Sequence, residues 1–557
     1  MKEVLASEIK QIVQELFGSK AKIVLTRPES KFGDFSTNVA MQLGRAPAEN
    51  AAKIIEKLKR LDEVAEATIA GPGFINITLT DATLQSVISE VLDKKEAYGS
   101  NKIYDGKTIV AEYSDPNPFK VLHAGHLYTT LTGDVIANLL ETAGANVKLV
   151  NFGGDVGLHV GTTMWAIIQE LGGEHPEKLA DIKTENRMQW VSEQYVKGTK
   201  AFEGNEAAKD EIRDINKRVY ALHDTNDHES PFAQIYWTCR QWSYDGFNEL
   251  YRSLRVAPFD KYYPESETTE LGVETVQEGL KRGVFENSDG AVVLKGESAG
   301  LHTRVFITSE GLPTYETKDL GLALTKWQDY RFDLSIMITG NDIVEYMKVV
   351  QLALKSFQPE ICERSKHITH GMLKLAGGIK MSSRKGNALL ASDVLESAEK
   401  ASKAHSNNDQ QGTVLAAVKY AFLKQRIGGD IIYDPEESVS IAGNSGPYLQ
   451  YAHARAMSIL LKKPTPQVDY KLDVSERQLV RKISELPEVV EAAVNELMPH
   501  LVCTYLYELA QEFNSFYEAN RVIGEPREDM RLTLINAYVT VLKNGLKLLG
   551  ISAPDHM

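Results

Sequence analysis

The chain has 557 residues, 43% hydrophobic and 25% charged, a balance that forms packed cores and excludes a disordered or collagen-like polymer. At roughly 150 residues per domain, three or four domains are expected. The net charge is −14, from 76 acidic and 62 basic residues, and taken alone it argues against nucleic acid as a partner.

The amino terminus, MKEVLASEIKQIVQELFG, is amphipathic and interleaved with acids, without the basic start and apolar core of a signal peptide. Val4, Leu5, Ile9, Ile12, Val13 and Leu16 recur at helical spacing, and Gly18 is placed to stop the helix. AKIVLT (21–26) and FINITLT (74–80) predict strands, with helical patterns at 48–60 and 82–94. Residues 1–100 therefore read as an α+β unit, closed by the turn-rich stretch 97–107.

TIVAEYS (108–114) predicts a buried strand, ended by the two prolines of DPNP. Leu127, Leu131, Val135, Ile136, Leu139 and Leu140 define a helix face over 123–140, and NVKLVNF (146–152) predicts the next strand. Such a β-loop-α-β unit implies a parallel sheet with its ligand site at the strand's carboxyl end. Further strand signals lie at RVFIT (304–308), LSIMIT (334–339) and HITHGMLKL (367–375), with helical patterns at 317–329 and 343–357. Residues 108–152 and 301–390 are expected to be two halves of one Rossmann-like sheet around a helical insertion at about 155–300. Connecting helices over 391–435 and an all-helical domain over 436–557 complete the chain. The expected fold is thus α/β multidomain, with the parallel-sheet domain over 101–435. Cys239, Cys362 and Cys503 lie far apart, which suits a reducing cytosol better than a disulfide scaffold, and no run reaches the ~18 apolar residues of a membrane span. A cytoplasmic protein without a membrane partner is expected.

Two constellations carry chemistry. In Asn117-Pro-Phe-Lys120-Val-Leu-His123-Ala-Gly125-His126, two imidazoles three residues apart sit where a strand turns into a helix. Both can donate N–H groups to one anion, the helix N-terminus adds its dipole, and Gly125 lets a nucleotide approach the backbone. H-x-x-H alone also fits a pair of surface histidines; its place at the first strand's carboxyl end favours a nucleotide site. The second is Gly377-Gly378-Ile379-Lys380-Met381-Ser382-Ser383-Arg384-Lys385-Gly386-Asn387, three cations and two serines between glycines. That composition suits polyphosphate, without the Walker A order, and by itself also fits a solvated basic loop.

Together the two resemble the HIGH and KMSKS signatures of class I aminoacyl-tRNA synthetases, in which ATP lies between them. AEYSDPNPFKVLHAGH resembles the corresponding stretch of arginyl-tRNA synthetases, and TYETKDLGLAL (314–324) a second segment of that family. The amino-terminal motifs GDFSTNVAMQLG (33–44) and AGPGFINITL (70–79), and the carboxy-terminal GNSGPYLQYAHARAMSIL (443–460) and LKNGLKLLGISAPDHM (542–557), extend the resemblance over nearly the whole chain. It implies an arginine–tRNA ligase that forms arginyl-adenylate from L-arginine and ATP, with Mg2+ accompanying ATP and no tightly bound metal or organic cofactor. Transfer to tRNA(Arg) would follow, in an enzyme expected to be a monomer.

The same resemblance implies site residues. His123, Gly125 and His126, with Lys120 and the loop Lys380, Met381, Ser382, Ser383 and Arg384, would serve catalysis and ATP. Glu112, Ser114, Asn117, Tyr315, Asp319 and Asp342 would hold arginine, whose planar guanidinium is a natural partner of carboxylates. Tyr315 and Asp319, four apart, share a helix face. The N-terminal domain would touch the tRNA's elbow and the helical domain its anticodon. In that domain Tyr448, Tyr451, His453, Arg455, Tyr505, Asn514, Phe516, Tyr517 and Arg521 mix aromatic and polar groups suited to bases or to a core. Two departures stand out: Arg384 replaces the loop's second lysine, which directs the phosphate role toward Lys120, and NFGGDVG (151–157) leaves Asp155 either to line the site or to cap a turn. Cys362, His367 and His370 are too few for a closed zinc site. The competing readings are a nucleotidyltransferase sharing H-x-G-H and a catalytically idle RNA-binding paralogue.

Overall fold

The computed structural model describes residues 1–376, 389–403, 410–460 and 471–557. In the amino-terminal domain the helix Lys2–Phe17 ends at Gly18, whose left-handed φ of 61° lets its N–H close on Gln14. β1 (Phe35–Thr37), β2 (Val64–Ala70) and β3 (Phe74–Leu79) form an antiparallel sheet in the order β1-β3-β2, covered by the helices Pro47–Leu58 and Asp81–Lys94. The strand expected at 21–26 does not form. Only Thr26 bridges to Ser36, on the edge of β1 away from β3.

The central sheet is parallel, built from β4 (Thr108–Glu112), β5 (Asn146–Gly153) and β6 (Lys261–Pro264) on one side. β7 (Glu286–Ser288), β8 (Ala291–Leu294) and β9 (Arg304–Ile307) form a separate antiparallel sheet. Thus the expected strand at 304–308 exists, but outside the main sheet, and β6 comes from within the stretch expected to be a mainly helical insertion. β10 (Leu334–Gly340) and β11 (Ser365–His370) complete the order β11-β10-β4-β5-β6. HITHGMLKL divides at Gly371-Met372 into β11 and β12 (Leu373–Leu375), and β12 pairs with β13 (Ile431–Tyr433). A Cβ at Gly371 would lie 2.4 Å from the carbonyl carbon of Gly429, so the break needs glycine.

From β4 the chain winds one way to β5 and β6, then returns to β10 on β4's other side. The loops leaving β4 and β10 therefore diverge, opening a crevice at their carboxyl ends. The helix Ala124–Thr142 follows β4 and is buried over most of its surface, the polar side chains of Thr130, Thr132 and Asp134 included. Gly133 on this helix packs against Tyr113, where an added Cβ would fall 2.1 Å from the ring's Cγ. Gly133→Ala is expected to cost about 1–3 kcal/mol through overpacking, read as a lower midpoint of thermal unfolding.

Four helices, Leu158–Leu171, Arg187–Gly204, Glu206–Asp224 and Pro231–Ser253, build the insertion around a core of its own that includes Met164, Val219 and Tyr236. The carboxy-terminal helices, from Gly446–Ile459 to Glu528–Leu548, pack against the amino-terminal domain, and the two share one apolar core. Val135 and Leu139 of the Ala124–Thr142 helix enter that core. Charged contacts reinforce the junction: Arg27 Nη2 lies 2.7 Å from Glu488 Oε1, and Arg477 Nη1 2.8 Å from Asp81 Oδ1.

Candidate active site

The turn after β4 is fixed by its own side chains. Ser114, Asp115 and Phe119 adopt positive φ angles of 76°, 46° and 67°, a concentration of strain of about 1–3 kcal/mol per residue that neighbouring structure must offset. Ser114 Oγ bonds Tyr251 Oη at 2.8 Å and accepts from Thr130 Oγ1 at 2.7 Å. Asp115 Oδ1 accepts the Phe152 N–H at 2.8 Å, and Asn117 Oδ1 the Gly154 N–H at 2.7 Å. The turn is thereby stapled to the end of β5.

His123 and His126 form the first turn of the following helix. His123 Nδ1 accepts the Gly125 N–H at 3.1 Å, and His126 Nδ1 accepts the His123 N–H at 3.2 Å. A Cβ at Gly125 would lie 2.9 Å from His123 Nδ1, so glycine makes room for the ring. With both Nδ1 atoms accepting, the ring protons reside on Nε2. The rings stack with centroids 3.8 Å apart. Burial, reinforced by Lys120, pulls the His123 pKa down to about 4. The His126 pKa is driven well below its usual value by burial first and then by His123. Both are neutral donors at physiological pH, set at a helix N-terminus.

These groups line one cleft of about 540 Å³ at the crevice between β4 and β10. Glu112, Ser114, Asn117, His123, Gly125, His126, Tyr315, Asp319 and Asp342 all reach it, so the structure gathers these positions from segments up to 230 residues apart. Tyr315 and Asp319 occupy the first turns of the helix Tyr315–Tyr330. Asp319 Oδ2 accepts from Tyr346 Oη at 2.7 Å. Burial, aided by the charges of Glu112 and Glu265, nevertheless pushes the Asp319 pKa up to about 8. Burial likewise holds Asp115 well above the carboxylate range, with Glu112 adding to the effect. Asp342 follows β10 and favours the charged forms of His123 and His370, which places it on the histidine side of the cleft.

Other expected positions lie elsewhere. Lys120 is half-buried, with Nζ 5.7 Å from the Tyr195 ring centroid, and is not among the cleft's lining residues. Asp155 neither lines the cleft nor caps a turn: fully buried, it accepts from Arg240 Nε at 3.0 Å and from Ser266 N and Oγ at 2.9 and 2.8 Å. It ties β5 to the insertion and to the start of the helix Glu265–Lys281. His367 pairs with Thr339 Oγ1 at 2.7 Å and His370 with Thr129 Oγ1 at 2.6 Å, while Cys362 Sγ lies 3.6 Å from the Gln351 carbonyl. The three serve separate contacts. In the helical domain Tyr505, Phe516 and His453 are core, whereas Tyr451 is exposed and Arg455 lies 4.5 Å over the Tyr517 ring. Lys380, Met381, Ser382, Ser383 and Arg384 lie outside the described residues.

Comparison with known proteins decides the family. Residues 1–79 match the arginyl tRNA synthetase N terminal domain, residues 87–434 the class I (R) tRNA synthetase catalytic domain, and residues 449–557 the DALR anticodon binding domain. An arginine–tRNA ligase of Flavobacterium psychrophilum is 30% identical over 607 aligned positions that cover 100% of both chains. The chain belongs to the arginyl-tRNA synthetase family. In fold the synthetase is similar to the arginyl-tRNA synthetase of Thermus thermophilus, with a TM-score of 0.80, 23% identity and 100% of each chain covered. It is also similar to that of Plasmodium falciparum, with a TM-score of 0.78, 19% identity, and 100% and 99% of the two chains covered.

The synthetase's cleft holds residues that the motifs did not single out. Glu265, at the start of its helix, and Asp115 and Tyr346 line it. Lys318 Nζ lies 2.6 Å from Glu265 Oε2, and Lys326 Nζ pairs with Glu112 Oε2, all four side chains being almost completely buried. Lys318 sat in view inside the quoted motif TYETKDLGLAL, but its partner lies 53 residues away and no local spacing announces it.

Proposed function

We propose that the cleft carries out both steps of the family's ligase reaction. The enzyme activates L-arginine with ATP, forming arginyl-adenylate and pyrophosphate, and charges tRNA with the arginine. The attacking group in the second step is the 2′-hydroxyl of the tRNA's terminal adenosine. The observation that carries the assignment is the two-sided cleft: neutral histidine donors at a helix N-terminus on one side, and an acid-rich wall on the other.

In this reading the Nε2–H groups of His123 and His126 bond the α-phosphate oxygens as charge develops there, and Gly125 admits the nucleotide. Lys380 to Arg384 draw the departing pyrophosphate, with Lys120 sharing that role through its field. Magnesium would accompany ATP and supply charge neutralisation on its phosphates. Glu112, Asn117 and Ser114 orient the arginine backbone end, while Asp319, Tyr315 and Glu265 meet the guanidinium, with Asp342 completing the site toward the nucleotide. Residues 1–100 contact the tRNA's elbow and residues 436–557 its anticodon; their shared core makes them one platform. The enzyme acts as a cytoplasmic monomer on arginine tRNAs.

Arginine-dependent ATP–pyrophosphate exchange, run with and without tRNA and with lysine and cysteine as controls, tests this. Exchange is expected with arginine alone among the three, and only when tRNA is present. Exchange without tRNA would remove the dependence, and none in either condition, with tRNA binding intact, would establish an idle paralogue.

A further inference from the structure

The helix Tyr315–Tyr330 does more than present Tyr315 and Asp319. Its Lys318 and Lys326, eight residues or about 12 Å apart along the axis, are 3% and 2% exposed and do not line the cleft. Each reaches a carboxylate that does. Lys318 takes Oε2 of Glu265, on the helix after β6, and Lys326 takes Oε2 of Glu112, at the end of β4. In each case one carboxylate oxygen is tied back and Oε1 is left without that tie.

We propose that Lys326 and Lys318 are positioning residues of the arginine site, each acting through the wall carboxylate it holds. The proposal rests on the arginine assignment of the cleft. A glutamate has three rotatable bonds, and in a buried wall without a partner it turns toward whatever donor is nearest. A lysine fixed behind it sets its direction, and the helix sets the spacing between the two fixed carboxylates. The charge count fits the ligand as well. On this side of the cleft stand four carboxyl groups, Glu112, Asp115, Glu265 and Asp319, with the two lysines behind them. The two lysines balance Glu112 and Glu265, so the charge left to meet the guanidinium is that of Asp319, which burial holds protonated until the ligand arrives. Without the lysines the two glutamates would face the ligand with their charge uncompensated.

The test is a double-variant cycle on the full chain with tRNA present, reading arginine and ATP KM separately by pyrophosphate exchange. Lys326→Met is expected to raise arginine KM about 30-fold or more, the scale for breaking one side of a buried charge pair, with ATP KM within about twofold of the wild type. Lys326→Arg, which keeps the cation, should recover most of the loss. The double variant Glu112→Gln/Lys326→Met carries no unpaired charge and is expected to match Glu112→Gln in arginine KM to within about threefold, because the lysine acts chiefly through that carboxylate and its charge at Asp319 is the smaller effect. If Lys326→Met does not fold, this pair of variants decides the question. The matching expectation holds for Lys318→Met with Glu265→Gln. A double variant much worse than its glutamine single, or equal losses in the KM of arginine and of ATP, would overturn the proposal while leaving the ligase assignment standing. Absence of any arginine response in the wild type would overturn both.

Discussion

His126→Asn is expected to lower arginine-dependent pyrophosphate exchange by about 10²–10³-fold, the scale for removing one preorganised donor, while tRNA binding stays near the wild-type level. The choice of asparagine follows from the capping geometry. His126 has two jobs: Nδ1 accepts the His123 N–H at 3.2 Å, and Nε2 carries the proton turned to the cleft. Asparagine places an acceptor near the Nδ1 position and removes the outer donor, so the helix start survives and the donor is lost. Glutamine does the reverse. His126→Gln is expected to keep more activity and to lose roughly 1 kcal/mol of stability, the usual worth of a cap. If the two substitutions gave the opposite ranking, the histidine would matter for the fold of the helix start and not as a donor. Burial is what keeps both rings neutral, and at His126 the stacked neighbour adds to it. Two imidazolium ions with centroids 3.8 Å apart would repel one another in a half-buried pocket. A neutral N–H donor has the further merit that it loses no proton to the phosphate it binds.

The part of this site visible in the sequence is the part encoded locally. The β4–helix–β5 unit has period-2 and period-3.6 stretches joined by a proline-rich turn, and its histidines lie within four residues of one another. Tyr315 and Asp319 are one helical turn apart. What escaped notice depends on partners distant in sequence. β6 is four residues long and ends in proline, inside a stretch that otherwise reads as helix, so its membership of the parallel sheet follows only from pairing with Val150–Gly153. RVFI reads as a strand in either sheet, since strand propensity does not name the neighbour. Glu265, Lys318 and Lys326 look like the solvated charges of amphipathic helices; their burial becomes apparent only when Glu112, 214 residues before Lys326, is brought against it. Asp155 reads as a turn residue, yet three elements converge on it. The merged core of the end domains is likewise a property of two surfaces, each of which has an ordinary apolar face by itself.

The second large effect belongs to Asp319. Burial, with Glu112 and Glu265 adding to it, lifts its pKa from 3.8 to about 8, against the Tyr346 hydrogen bond and the Lys326 charge. At neutral pH the carboxyl therefore holds a proton, which the guanidinium must displace to form an ion pair. Arginine KM is accordingly expected to fall as pH rises from about 6 toward 8 and to level off above it, the sign required when ligand binding releases a proton. Calorimetry across buffers of different ionisation heat should show that release directly. Asp319→Asn is expected to raise arginine KM by roughly 10²-fold or more, since the guanidinium loses a buried charged partner, and to flatten the profile, with Asp115 accounting for any residual slope. The stability of the free enzyme carries the complementary signature. Between pH 4 and 8 the native state binds a proton that the unfolded chain has lost, so this group's contribution falls as pH rises, and saturating arginine offsets the fall. A pH-independent arginine KM in the wild type would mean that Asp319 is already ionised before arginine arrives. In that case Tyr346 and Lys326, and not the ligand, would be what stabilises its charge.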